Sequence, residues 1–185
     1  SVSPAGMGEP SPVCPAGDAP AQAAAAESML PAVHGSLLAM LHHDASAFSP
    51  EDGALAWEGL YNMLALYGAL DSRCDERSGE LYLPEETVWD YAAALGIRLE
   101  ELPPLPADMA DRIGYDNVSH CYVLICGDQG PARLLADSVQ AENGVLLLTG
   151  SFFDPAEDEV LARFQAELRP QDSMFGYVLS GLTVL

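Results

Sequence analysis

The chain has 185 residues, 49% of them hydrophobic, and sets 28 Asp and Glu against seven Arg with no Lys, for a formal charge of -21. That balance excludes a nucleic-acid partner, which needs clustered cations to displace counterions from phosphates, and it disfavours an anionic membrane surface. The apolar fraction suffices for one folded domain, and no run of about 18 apolar residues is present to make a transmembrane segment.

Residues 1–28 carry Pro4, Pro10, Pro12, Pro15 and Pro20 among Ser, Gly and Ala, with few large side chains. Such a stretch buries too little surface to order itself, so it reads as a flexible tether, leaving 29–185 as a single domain. A chain that opens at Ser1 without Met, behind a spacer of this kind, fits an extracytoplasmic protein at the cell surface whose targeting segment is removed and whose lipid anchor was lost before Ser1.

From Ser28 to His43, Leu30, Val33, Leu37 and Leu41 recur at helical spacing beside Met40, with Pro31 tolerated in the first turn. A second helix is expected to start with Ser49 as cap and Pro50 at the first position, and to run to Leu70. Its apolar residues cover most of the circumference and leave a narrow polar strip at Glu58 and Asn62, so it is the buried helix. The stretch GELYL suits a strand. Pro84, Glu85 and Glu86 then open a third helix with Val88, Tyr91, Ala92 and Leu95 inside and Gly96 as its left-handed stop. Leu102 to Pro106, LPPLP, must be extended, and its PxxP spacing reads as a rigid connector rather than a polyproline ligand.

Past Arg112 the period changes to two. Val160, Ala162, Phe164, Ala166 and Leu168 alternate with wetter residues, and similar runs cover 119–126, 132–139, 145–153 and 174–184. Short turns join them, the clearest being Asn143 and Gly144, which tolerate the positive φ of a type I′ hairpin. The expectation is an α+β fold, with N-terminal helices on one face of a C-terminal antiparallel meander of four or five strands.

This order of elements resembles NTF2-like or cystatin-like rolls. The run from YLPEETVWDYAAALG through LPPLP and IGYD to FFDP and FGYVLSGLTVL, about Leu81 to Leu185, resembles the C-terminal halves of uncharacterised secreted lipoproteins of Gram-positive anaerobic gut bacteria. The resemblance implies a location and an architecture, and no activity.

Candidate sites are few. Cys121 and Cys126, five apart on one strand, point to opposite faces and do not pair with each other, whereas a Cys14–Cys74 bridge is open. Free, partly buried thiols are the simpler reading, and no CxxC suggests zinc. His34 and His42 lie about 12 Å apart along a helix, and His42 and His43 point about 100° apart, so the pair reads as a helix end and no metal site is assigned. The acidic clusters lack the alternating calcium-loop pattern. For catalysis the best constellation is Tyr115, Asp116, His120 and Tyr122, an acid and base pair with tyrosines on a strand, which needs enclosure to separate the pKa values. GYVLSG is not a nucleophile elbow. No cofactor is implied, and neither the ligand nor the oligomeric state can be read. The first hypothesis is an envelope-tethered binding or interaction module, and the alternative is a small NTF2-like enzyme acting through Asp116, His120 and a tyrosine. A filled interior around Phe152, Phe164 and Tyr177 would favour the first, and a cavity enclosing His120 the second.

Overall fold

The computed structural model describes residues 19–185, so residues 1–18 of the expected tether, with Cys14 and any bridge it makes, lie outside the described residues. The helices are α1 (Ala19–Ser28), α2 (Leu30–His42), α3 (Gly53–Tyr67) and α4 (Glu85–Ala94). The strands are β1 (Asp75–Arg77), β2 (Glu80–Pro84), β3 (Ile113–Asp116), β4 (Cys121–Ile125), β5 (Arg133–Glu142), β6 (Val145–Asp154), β7 (Glu159–Pro170) and β8 (Tyr177–Val184). All named pairings are antiparallel, in two four-stranded sheets ordered β5-β6-β7-β8 and β1-β2-β4-β3. The protein is therefore α+β, with most of its helical residues towards the N-terminus.

The first departure from expectation is α1, which occupies the last ten residues assigned to the tether. Its run of alanines has the highest helix propensity of any residue and loses no side-chain entropy on ordering, so it needs no large side chain to form. Ala26 is buried, and the helix lies against β5 and β6. A break at Met29 separates it from α2, whose Pro31 sits in the first turn, as expected. Together α1 and α2 have the length and composition of a membrane span but are bent by 50°, and among the described residues no single helix is long and apolar enough to cross a bilayer.

In α2 the inward residues are Val33, Leu37 and Met40, while Leu41 turns partly to solvent. α3 starts three residues later than Ser49 and Pro50 suggest. The Asp52 carboxylate accepts from the backbone N–H groups of Ala54 at 3.1 Å and Leu55 at 3.3 Å, and Ser49 only closes the preceding turn. The two helices touch at Gly35, where an added Cβ would lie 2.6 Å from the Met63 nitrogen and 2.7 Å from the Gly59 oxygen. This contact buries the narrow polar strip as well: Glu58 and Asn62 face α2, and Asn62 donates to the Gly35 carbonyl at 3.2 Å.

The meander follows the alternation closely. Asn143 and Gly144 take φ values of 52° and 80°, the type I′ geometry that joins β5 to β6. The inner face presents Leu146, Leu148, Phe152, Phe164, Ala166, Leu168, Leu179 and Leu182, all buried among the helices. Val160 is the exception. A bulge sets Phe152 opposite Ala162 and Phe153 opposite Val160, so one residue of β7 is extra and Val160 is turned out to solvent.

The run at 119–126 does not join this meander. β4 inserts instead between β2 and β3, pairing Leu81 with Leu124 and Tyr115 with Tyr122. The meander thus has four strands, and the GELYL segment finds its partner about forty residues away. Leu81, Leu83 and Leu124 of this small sheet enter the same hydrophobic cluster as the helices and the meander.

Candidate functional site

Tyr115, Asp116, His120 and Tyr122 all lie on the β3–β4 hairpin, but not as a strand face. His120 is a turn residue with φ of 53°, and its carbonyl accepts from the Glu85 N–H at 3.3 Å, tying the hairpin to the start of α4. Tyr115 and Tyr122 are register partners with ring centroids 5.3 Å apart in an edge arrangement. The Tyr115 hydroxyl donates to Glu85 Oε1 and lies 3.4 Å from His120 Nδ1. The Glu85 hydrogen bond is the main reason the Tyr115 phenol is pushed up to about 12, which makes it a firm donor and a poor base.

Asp116 stands apart. It accepts from the Val118 N–H at 3.0 Å and the Ser119 hydroxyl at 2.7 Å, and these bonds hold its carboxyl below the usual range. That is the chemistry of a turn carboxylate that stays ionised, the opposite of a general acid. His120 is exposed and nothing encloses the group, so the fold assembles Tyr115, Tyr122, His120 and Glu85 at the surface and gives Asp116 to the turn. Glu85 escaped the sequence reading because an acid in a first helical turn has a sufficient explanation in the helix dipole.

The interior that could have held a catalytic pocket is filled. Phe152 and Phe164 are fully buried, Tyr177 is half-buried, and His34 packs edge-on against Phe152 at 5.4 Å while bonding the Tyr67 hydroxyl at 2.8 Å. Burial lowers the His34 pKa to about 4, so this imidazole is a neutral core group.

The second histidine pair behaves differently. His42 ends α2 and His43 is its C-cap, yet both rings lean over α3: His42 Nδ1 is 2.6 Å from Glu58 Oε1, and His43 Nε2 is 2.8 Å from Oε2. Counting 100° between neighbours assumed two ordinary helical residues. His43, with φ of -94° and ψ of 4°, has already left the helix. Among the described residues these three groups are the cluster whose donor atoms suit a metal, all within 4.8 Å of one another.

A surface cleft forms where α4 ends. Gly96, at φ of 72°, donates to Ala93 and Ile97 to Ala92, the paired bonds of a Schellman turn. The turn places Ala92 and Ile97 on the floor of a groove of about 330 Å³ that is also lined by Trp89, Arg98, Leu99 and Glu100. Arg98 separates it from a second, polar groove of about 410 Å³ that includes Glu51 and Glu101. Trp89 is 53% exposed, an uncommon position for the largest side chain. No signal in the sequence marks it, because Trp89 reads as one more residue of a helix.

The three described cysteines, Cys74, Cys121 and Cys126, are free, so Cys121 and Cys126 do not pair with each other. A scan against protein-family models and searches of curated proteins and of solved structures found no match.

Proposed function

We propose that this protein is a binding module that recognises a basic, partly apolar segment of a partner protein at the Trp89 groove. The observation that supports this is the exposed indole itself, set over a floor of Ala92, Ile97 and Leu99. Tryptophan is the residue most enriched where binding energy concentrates, because one ordered ring buries a large area. Glu100 lines the same groove, with Glu51 and Glu101 in the adjoining one, so three carboxylates line the two grooves beside Arg98, which already pairs with Glu101 at 3.4 Å. With a chain charge of -21 the field attracts cations, and an indole face adds a cation–π contact for Lys or Arg. An outward-facing groove fits a filled interior better than does an acid–base enzyme, whose proton-transfer groups would need enclosure.

The same proposal puts the module outside the cytoplasm at the cell envelope, on the strength of the Pro, Ala, Ser and Gly composition of the N-terminal residues.

Trp57 is half-buried and its indole N–H donates to the Pro103 carbonyl at 2.9 Å, so changes in tryptophan emission on binding report mainly Trp89. Titration with short amphipathic Lys-containing peptides should give a saturable emission change that weakens with salt and disappears in Trp89→Ala. The same peptides with Glu in place of Lys should not bind. No saturable change with any basic peptide, or an undiminished thermal shift in Trp89→Ala, refutes the assignment.

A further inference from the structure

We propose that His42, His43 and Glu58 form a binding site for a divalent ion of the zinc class, independent of the Trp89 groove. Glu58 is buried, with 6% of its surface exposed, projects from the α2-facing side of α3, and keeps its Oε2 without any hydrogen-bond partner. His43 Nε2 stands 2.8 Å from that oxygen, within ion-pair distance but in an arrangement that makes no hydrogen bond. A buried carboxylate oxygen left unsatisfied is costly, and a cation held between it and the two imidazoles would relieve that cost.

The donor set decides the class of ion. Two of the three donors are imidazole nitrogens, which suit zinc and its first-row neighbours, whereas calcium and magnesium call for shells of oxygen. Tetrahedral zinc with ligands at about 2.0–2.1 Å sets its donor atoms about 3.3 Å apart. The Glu58–imidazole contacts, 2.6 Å at Oε1 and 2.8 Å at Oε2, are shorter than this, so closing on an ion asks them to open by about 0.5–0.7 Å. The more mobile partner is available for this, since the His42 side chain is 62% exposed and Glu58 is the fixed anchor. Two histidines and one glutamate leave the fourth position to water or a ligand, on the side where His42 meets solvent.

Calorimetric titration of the full chain with zinc chloride at neutral pH, in millimolar calcium and magnesium to occupy ordinary surface carboxylates, tests this directly. A single zinc ion should bind per chain, and His42→Ala should weaken it more than about tenfold, since loss of even an outer contact to a metal ligand commonly costs that much. His42→Ala/His43→Ala should abolish it. Glu58→Gln should also bind poorly, but His42→Ala is decisive because an exposed side chain can be removed without disturbing the fold, which circular dichroism verifies. Cobalt loaded in place of zinc should show no thiolate charge-transfer absorption, separating this site from the cysteines. Absence of zinc binding, its survival in the double variant, or a thiolate spectrum would each overturn the proposal.

Discussion

The meander and the small sheet have four strands each but are held in different ways. β5 to β8 follow one another in sequence, pair through tight turns, and press Phe152, Phe164 and Leu168 into the helices. β1–β2 and β3–β4 are two hairpins from separated segments of the chain; Leu81, Leu83 and Leu124 join them to the shared core, and polar pins fasten them further. The Tyr61 hydroxyl of α3 donates to the Ile125 carbonyl at 2.6 Å and accepts from the Gly127 N–H at 3.3 Å. Arg73 forks onto Asp71, reaches Asp90 of α4 at 2.7 Å, and lies 3.0 Å from the Met174 sulfur ahead of β8. The comparison teaches that the helices and meander are the rigid body of this protein, and that the small sheet is fastened to it at a few places.

Breaking the rigid body should give the largest effect. Phe164→Ala leaves a cavity where the ring meets the helices and should cost about 3–5 kcal/mol, read as a lower denaturant midpoint in a single cooperative transition. If instead only part of the signal moves, the two sheets unfold separately.

The next effect sits on the helix–meander contact and depends on pH. His34 has a folded pKa of about 4 against 6.5 for the free imidazole, so below 6.5 the unfolded chain takes up a proton that the folded chain refuses. Stability from this group is complete above pH 6.5 and is lost as the pH falls towards 4, by roughly 3 kcal/mol in all. His34→Gln should remove that slope, so the stability difference between the two proteins must itself change with pH over this window. A constant difference would mean that His34 takes up its proton equally readily in the folded and unfolded chain.

Cutting a pin should cost less and act locally. Arg73→Ala removes charged hydrogen bonds that are partly screened, with the Arg73 side chain 32% exposed and that of Asp71 10% exposed. The expected loss is about 1–2 kcal/mol, with faster amide exchange in β1 and β2 and little change in β6 or β7. The Asp71 carboxyl, held low chiefly by Arg73, should return to its ordinary range in the variant.

The same contrast explains what could be read from the sequence. Asn143–Gly144 and the alternation from Val145 onward are local signals, and the meander follows from them. The pairing of Leu81 with Leu124 has no local signature, because any apolar five-residue run could have been its partner. Ala19–Ser28 reads as tether in the sequence because an alanine helix shows no apolar stripe. Val160 turned outward because the extra residue between it and Ala162 puts it one face out of step with the rest of β7, and a bulge is not visible in alternation alone. At the candidate sites the residues that matter most are the non-local ones. Glu58 reads as part of a narrow polar strip, with nothing to show that α2 brings two histidines to it, and Glu85 reads as a helix-start charge, with nothing to show that Tyr115 reaches it.

Native-state hydrogen exchange tests the central claim most directly, namely that one helix-filled meander is the body and the small sheet is fastened to it. Amides of β6 and β7 should exchange only through global unfolding and move together when Phe164 is truncated, whereas those of β1 and β3 should exchange at least about tenfold faster through local opening. Equal protection across both sheets, responding alike to Phe164→Ala and Arg73→Ala, would contradict the account.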